Sequence, residues 1–171
     1  MESITVFQVP IVTENPFAGF YLDMDGVVAD FNGLFHEITG KWPHEVTSSQ
    51  LWKTINAHGS YFYSLKMMED AHVLWEYTKQ FNPTFLTGLP SKQGSAEQKQ
   101  RWIAEKFGPE HEVIVLPKKL KQTYAGPRKV LIDDSTTNID QWAAAGGDAI
   151  YHDGDAIKTI DKVEELRKSY L

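Results

Sequence analysis

Along the chain, short apolar runs that stop at polar or acidic residues alternate with stretches of helical spacing. Residues 18–22 run into Asp23, 85–86 into Thr87 and 130–132 into Asp133, and 113–116 and 149–151 are runs of the same kind. Apolar runs without alternation suit strands covered on both faces of a parallel sheet. Between them, 71–81 carries Val73, Leu74, Trp75 and Tyr77 at helical spacings. Residues 95–107 open with Ser95 and Gln98, a capping-box pair, and set Trp102, Ile103 and Phe107 on one face. Residues 137–145 group Ile139, Trp142 and Ala143 before Gly146 and Gly147, a helix stop, and 163–170 predicts a short closing helix.

Strands alternating with helices predict a three-layer α/β fold, a Rossmann-like parallel sheet with helices on both faces. The span 31–68 breaks the rhythm: it is rich in aromatics (Phe35, Trp42, Trp52, Tyr61, Phe62, Tyr63) and reads as a small helical cap inserted after the first strand. The expected division is therefore a core of 1–30 and 69–171 with a cap of 31–68. Residues 4–12 alternate weakly and predict an extra strand or an arm, with Pro10 favouring an edge.

Composition narrows the function. The 171 residues contain no cysteine, which removes disulfides, thiolate zinc sites and a cysteine nucleophile, and agrees with a reducing cytoplasm. A net charge of −6 disfavours grip on long nucleic acid, which needs a basic face. No run approaches the roughly 18 apolar residues of a membrane span, and the first residues lack the basic-then-apolar pattern of a signal peptide. A cytoplasmic enzyme without membrane attachment is the expectation, and a homodimer is compatible with the sequence.

The chemistry concentrates at strand ends. Asp23-Met24-Asp25-Gly26 places two carboxylates where an apolar strand stops, and ligands bind outside the carboxyl ends of parallel strands. Alone, this could be a turn with capping acids. Asp133-Asp134 repeats the arrangement, and four acids at one sheet edge repel unless a cation sits among them. All-oxygen ligands suit Mg²⁺. Thr87-Gly88 offers a hydroxyl and a backbone N–H to phosphate oxygens. Lys99 and the trio Lys118, Lys119 and Lys121 are candidate cations, though most lysines are only solvated. Ser135, Thr136 and Asn138 either orient the acids or cap the next helix. The six histidines show no metal-ligand spacing.

In this order the motifs resemble the haloacid-dehalogenase-like phosphohydrolase superfamily, over residues 18–151. DMDGVVADF (23–31), FLTGLP (85–90), KQRWIAEKFG (99–108) and LIDDSTTNIDQWAAAGG (131–147) are similar to the 5'(3')-deoxyribonucleotidases and related phage and bacterial hydrolases. The resemblance implies an Mg²⁺-dependent phosphomonoesterase with Asp23 as nucleophile, through an aspartyl-phosphate, and Asp25 as acid and base. It implies metal ligation by Asp23, the backbone carbonyl of Asp25 and Asp134, with Asp133 in support. Thr87 and Gly88 would hold the phosphate, with Lys121 as the motif lysine and Lys99 as a second phosphate contact; Lys118 or Lys119 could replace Lys121. The expected substrate is a small phosphorylated metabolite, foremost a nucleoside monophosphate, whose base would stack on Phe31, Trp52, Phe62 or Tyr63. A sugar phosphate or other small ester is the alternative, followed by a non-catalytic phosphate- or metal-binding module.

Overall fold

The computed structural model describes residues 6–171. Five strands, β1 (Gly19–Leu22), β2 (Thr84–Gly88), β3 (Val113–Leu116), β4 (Lys129–Asp133) and β5 (Asp148–Tyr151), form one parallel sheet in the order β3-β2-β1-β4-β5. β1 is central, so the residues that follow it emerge at the middle of the sheet edge, flanked by the ends of β2 and β4.

Alternation along the strands separates two cores. Phe20, Leu22, Phe85, Val130 and Ile132 belong to the larger cluster, with residues of α3 (Ala71–Thr78), α4 (Ser95–Phe107) and α6 (Ala156–Ser169). Tyr21, Leu86 and Leu131 join Trp142 of α5 (Thr136–Ala144) and Tyr124 of a 3-10 segment (Lys118–Tyr124) on the other. This is the three-layer arrangement that the apolar runs predict.

The differences from expectation have local causes. Residues 6–12 form no strand; they lie as an arm tethered by Gln80, whose side chain accepts from the Val12 N–H and donates to the Pro10 carbonyl, and residues 4 and 5 fall outside the described chain. Ser95 does not cap α4. Gly94, in the left-handed region at φ +82°, takes the cap position without a side-chain bond, Ser95 is buried, and Gln98 turns to the backbone N–H groups of Phe62 and Tyr63. The last helix begins seven residues before the expected 163, at Ala156, because Asp155 caps it, accepting from the Lys158 N–H.

Between β1 and α3 lie α1 (Phe31–Thr39), a 3-10 turn (Pro43–Glu45) and α2 (Ser48–Ala57), the last opened by a capping box of Thr47 and Gln50. The chain leaves and returns at one place. Ala29 bridges Met67, the Asp30 N–H donates to the Lys66 carbonyl, and the Met68 N–H donates to the Val28 carbonyl. Among the described residues, no helix is long and apolar enough to cross a membrane.

Candidate active site

β1 delivers Asp23 to the sheet edge, and the next six residues fold into a tight loop in which Met24 O accepts from the N–H groups of Val27, Val28 and Ala29. Gly26 sits in this loop at φ +80°, and a Cβ there would fall 2.0 Å from Asp134 Oδ2. Glycine is therefore required twice, by its backbone conformation and by the approach of the Asp134 carboxylate.

Asp23, Asp133 and Asp134 each bring a carboxylate oxygen within 4.8 Å of the others. Lys121, only 2% exposed, donates to Asp23 Oδ1 at 2.7 Å and to Asp133 Oδ2 at 2.8 Å. Burial opposes the charge on Lys121, but the two carboxylates outweigh it and raise its pKa above the usual lysine value. Asp133 is fully buried. Burial and the charge of Asp23 raise its pKa above the usual carboxylate value, and Lys121 and the Ser135 N–H offset this only in part. It also accepts from Asn138 Nδ2. Three donors and no acceptor mark it as the ionised form. Asp134 lines the open cavity, and its pKa is pushed up to about 7 by the protein packed around it and by the charges of Asp23 and Asp133. Solvent reaches this residue, so the crowding of like charges is the stronger physical reason to expect a cation beside it.

Asp25 points elsewhere. Its Oδ2 accepts from Lys99 Nζ at 2.9 Å, and its carboxylate is not part of the three-acid cluster; only its backbone carbonyl remains as the implied metal ligand. Lys99 also donates to Thr87 Oγ1 at 2.9 Å and to the Gly88 carbonyl at 2.8 Å. Thr87 is fully buried behind the cavity wall. A Cβ at Gly88 would meet nothing nearer than 3.7 Å, so the protein does not itself demand glycine there.

A cavity of about 550 Å³ opens over these groups. Phe31, Trp52 and Phe62 line it, and so does Lys118; Lys119 does not. Tyr63, proposed from sequence as a stacking residue, is not part of its wall: its hydroxyl donates to Glu105 and Arg101 lies over its ring. Sequence reading passed over Leu51, Asn32, Leu89, Pro90 and Ser91, which complete the wall. Leu89-Pro90-Ser91 follows Thr87-Gly88 directly, and that adjacency was the available signal. Asn138 orients Asp133, and Ser135 does the capping, accepting from the Asn138 N–H.

The residues fit a hard divalent cation, since every clustered donor is a carboxylate oxygen and Gly26 keeps the space beside Asp134 clear.

No family model matches the sequence, and no curated protein matches it. Solved structures do. A HAD-superfamily hydrolase from Ehrlichia chaffeensis superposes with a TM-score of 0.51 at 13% identity, over 86% of this chain and 96% of that one. A HAD family hydrolase from Deinococcus radiodurans R1, solved with bound phosphate and sodium, gives 0.47 at 14% identity over 91% and 96%. A hydrolase from Streptococcus pneumoniae TIGR4 gives 0.48 at 12% over 88% and 99%. At these identities the likeness is one of fold, and the chain has the α/β fold of the Ehrlichia chaffeensis HAD-superfamily hydrolase.

Proposed function

We propose that the chain is a divalent-metal-dependent phosphomonoesterase of the haloacid-dehalogenase-like superfamily, with Asp23 as nucleophile. The observation that carries this reading is the placement of Asp23: it pairs with Lys121, adjoins Asp134, and lines an open cavity beside Asp25. An ionised carboxylate can attack a phosphate ester only when the charges of both are offset.

An Asp23 oxygen bonds to phosphorus as the ester P–O bond breaks and its electron pair goes to the leaving oxygen, which takes a proton from Asp25. A water then attacks phosphorus and gives its proton to Asp25, and the pair of the Asp23–phosphorus bond returns to Asp23. Lys121 holds charge beside the phosphate, and the Gly88 N–H supplies a donor to its oxygens, while Thr87 lies behind it against Lys99. Asp23, Asp134 and the Asp25 carbonyl would hold Mg²⁺, supported by Asp133, and the ion would offset charge on nucleophile and ester.

The substrate we infer is a nucleoside monophosphate. Phe31, Leu51, Trp52, Phe62, Leu89 and Pro90 form an apolar wall, and the cavity volume of about 550 Å³ suits a small ligand. Residues 31–68 act in this reading as a cap that carries most of that wall. The test is phosphate release with Mg²⁺ across ribo- and deoxyribonucleoside monophosphates, sugar phosphates and glycerol phosphate, with Asp23→Asn as the control. Turnover of nucleotides over the other esters supports the substrate class. More than a few per cent of activity in pure Asp23→Asn protein removes Asp23 as nucleophile.

A further inference from the structure

The site holds two buried lysines, and their hydrogen bonds differ. An ammonium has three N–H donors. Lys121 uses two on described residues, Asp23 and Asp133. Lys99 uses all three, on Asp25 Oδ2, Thr87 Oγ1 and the Gly88 carbonyl. The Phe62 ring covers Lys99, its centroid 4.8 Å from Nζ, and the residue is 2% exposed. Lys99 thus has no donor left for a substrate, whereas Lys121 has one.

The partners of Lys99 show what it does instead. Asp25 Oδ2 is fixed by Lys99, while Oδ1 is buried and receives no hydrogen bond from the described residues. Thr87 Oγ1 accepts from Lys99, so its own hydrogen is turned away from the ammonium.

We propose that Lys99 is a positioning residue for proton transfer: through Oδ2 it holds the Asp25 carboxyl in place at the cavity, and it does not bind the substrate phosphate. This deepens the reading of Asp25 as acid and base and rests on it. The proton passes from the Asp25 carboxyl to the leaving oxygen as the P–O bond breaks, and returns to that carboxyl from the attacking water. Lys99 itself exchanges none.

The test compares Lys99→Met and Lys99→Gln with wild type and Asp25→Asn, all with Mg²⁺. First-turnover cleavage is measured by rapid quench for 4-nitrophenyl phosphate, whose leaving group needs little protonation, and for an alkyl ester, a nucleoside monophosphate. Inorganic phosphate affinity is measured by calorimetry. We expect the alkyl ester to slow by about a hundredfold in the Lys99 variants, the scale of general acid catalysis. The nitrophenyl ester should slow less than about tenfold, with phosphate affinity held within about threefold, since no phosphate contact is lost. Asp25→Asn should show the same leaving-group split. Equal slowing of both esters with phosphate affinity down tenfold or more makes Lys99 a phosphate ligand and overturns the proposal. If Lys99→Met does not fold, Lys99→Gln decides between the same outcomes. Asp25→Asn cleaving the alkyl ester at the wild-type rate, or an inactive wild type, refutes the function on which the proposal stands; loss of the split in the Lys99 variants alone refutes only the role of Lys99.

Discussion

Lys121 Nζ lies 2.7 Å from Asp23 Oδ1, with both side chains almost wholly withdrawn from solvent. The same ammonium reaches Asp133, so one cation sits between the proposed nucleophile and a buried acid. Lys121→Met should remove turnover almost completely and also destabilise the fold, because Asp133 loses its buried counterion. Breaking such a pair costs about 3–5 kcal/mol. Chemical denaturation and steady-state kinetics read the two effects separately; a variant as stable and active as wild type would show the pairing to be incidental.

The two adjacent acids of β4 should separate by experiment. Asp133 accepts from Lys121, Asn138 and the Ser135 N–H, whereas Asp134 faces the cavity. Asp133→Ala is therefore expected to lower the melting temperature more, and Asp134→Ala to weaken Mg²⁺ binding more relative to its effect on stability. Calorimetric titration with Mg²⁺, alongside thermal melts, checks the assignment, and the reverse order would exchange the roles.

Gly26→Ala should impair the site far beyond its size. The added methyl would meet the Asp134 carboxylate at 2.0 Å, at a backbone φ of +80°. The expected result is a folded protein, by circular dichroism, with at least tenfold weaker Mg²⁺ affinity. Unchanged affinity would mean that Asp134 can move aside without consequence.

Two aromatic positions form a matched comparison. Trp52 lines the cavity, while Tyr63 is held outside it by Glu105 and Arg101. If a base stacks on Trp52, Trp52→Ala should raise KM for a nucleotide about tenfold to a hundredfold, following the roughly 1–3 kcal/mol of base stacking. Tyr63→Ala should leave KM near wild type. Equal effects would break the link between cavity position and substrate binding.

His152 links stability to pH. It is buried, its Nδ1 bonds to Thr159 Oγ1, and burial depresses its pKa below the ordinary 6.5 despite the pull of Asp70, Asp153 and Asp155. The unfolded chain therefore takes up a proton before the folded one does. Its contribution is neutral above about 6.5 and turns destabilising as pH falls from there toward the folded value. Melts at pH 7.5 and 5 should show a smaller drop in His152→Asn than in wild type. An equal drop would assign the acid sensitivity to other groups.

The strand ends were legible because the apolar runs 18–22 and 130–132 stop at acids, and chain direction alone then gathers Asp23, Asp25, Asp133 and Asp134 at one edge. The division of labour was not. Nothing in the spacing of Lys99 and Lys121 tells which ammonium is saturated by its neighbours, since Gly88, Thr87 and Asp25 come from separate segments. Tyr63 failed as a pocket residue for a similar reason: its neighbour Phe62 packs inward, and one residue along the turn the ring meets Arg101 of α4 instead. Composition marks an aromatic segment, but only packing decides which ring faces a ligand.

The pairing of residues 28–30 with 66–68 is made by backbone groups alone. Side chains of the segment between are nonetheless tied to the rest of the chain: Phe35, Ile55, Tyr61, Phe62 and Leu65 join the larger core, and the Trp102 indole N–H donates to the Leu65 carbonyl. Exchange of that segment would have to keep those packed positions as well as the meeting of its ends at Ala29 and Met67. Freedom to vary is left to positions such as Asn32, exposed on the cavity wall, where the lining can change while the carboxylates beneath it stay fixed.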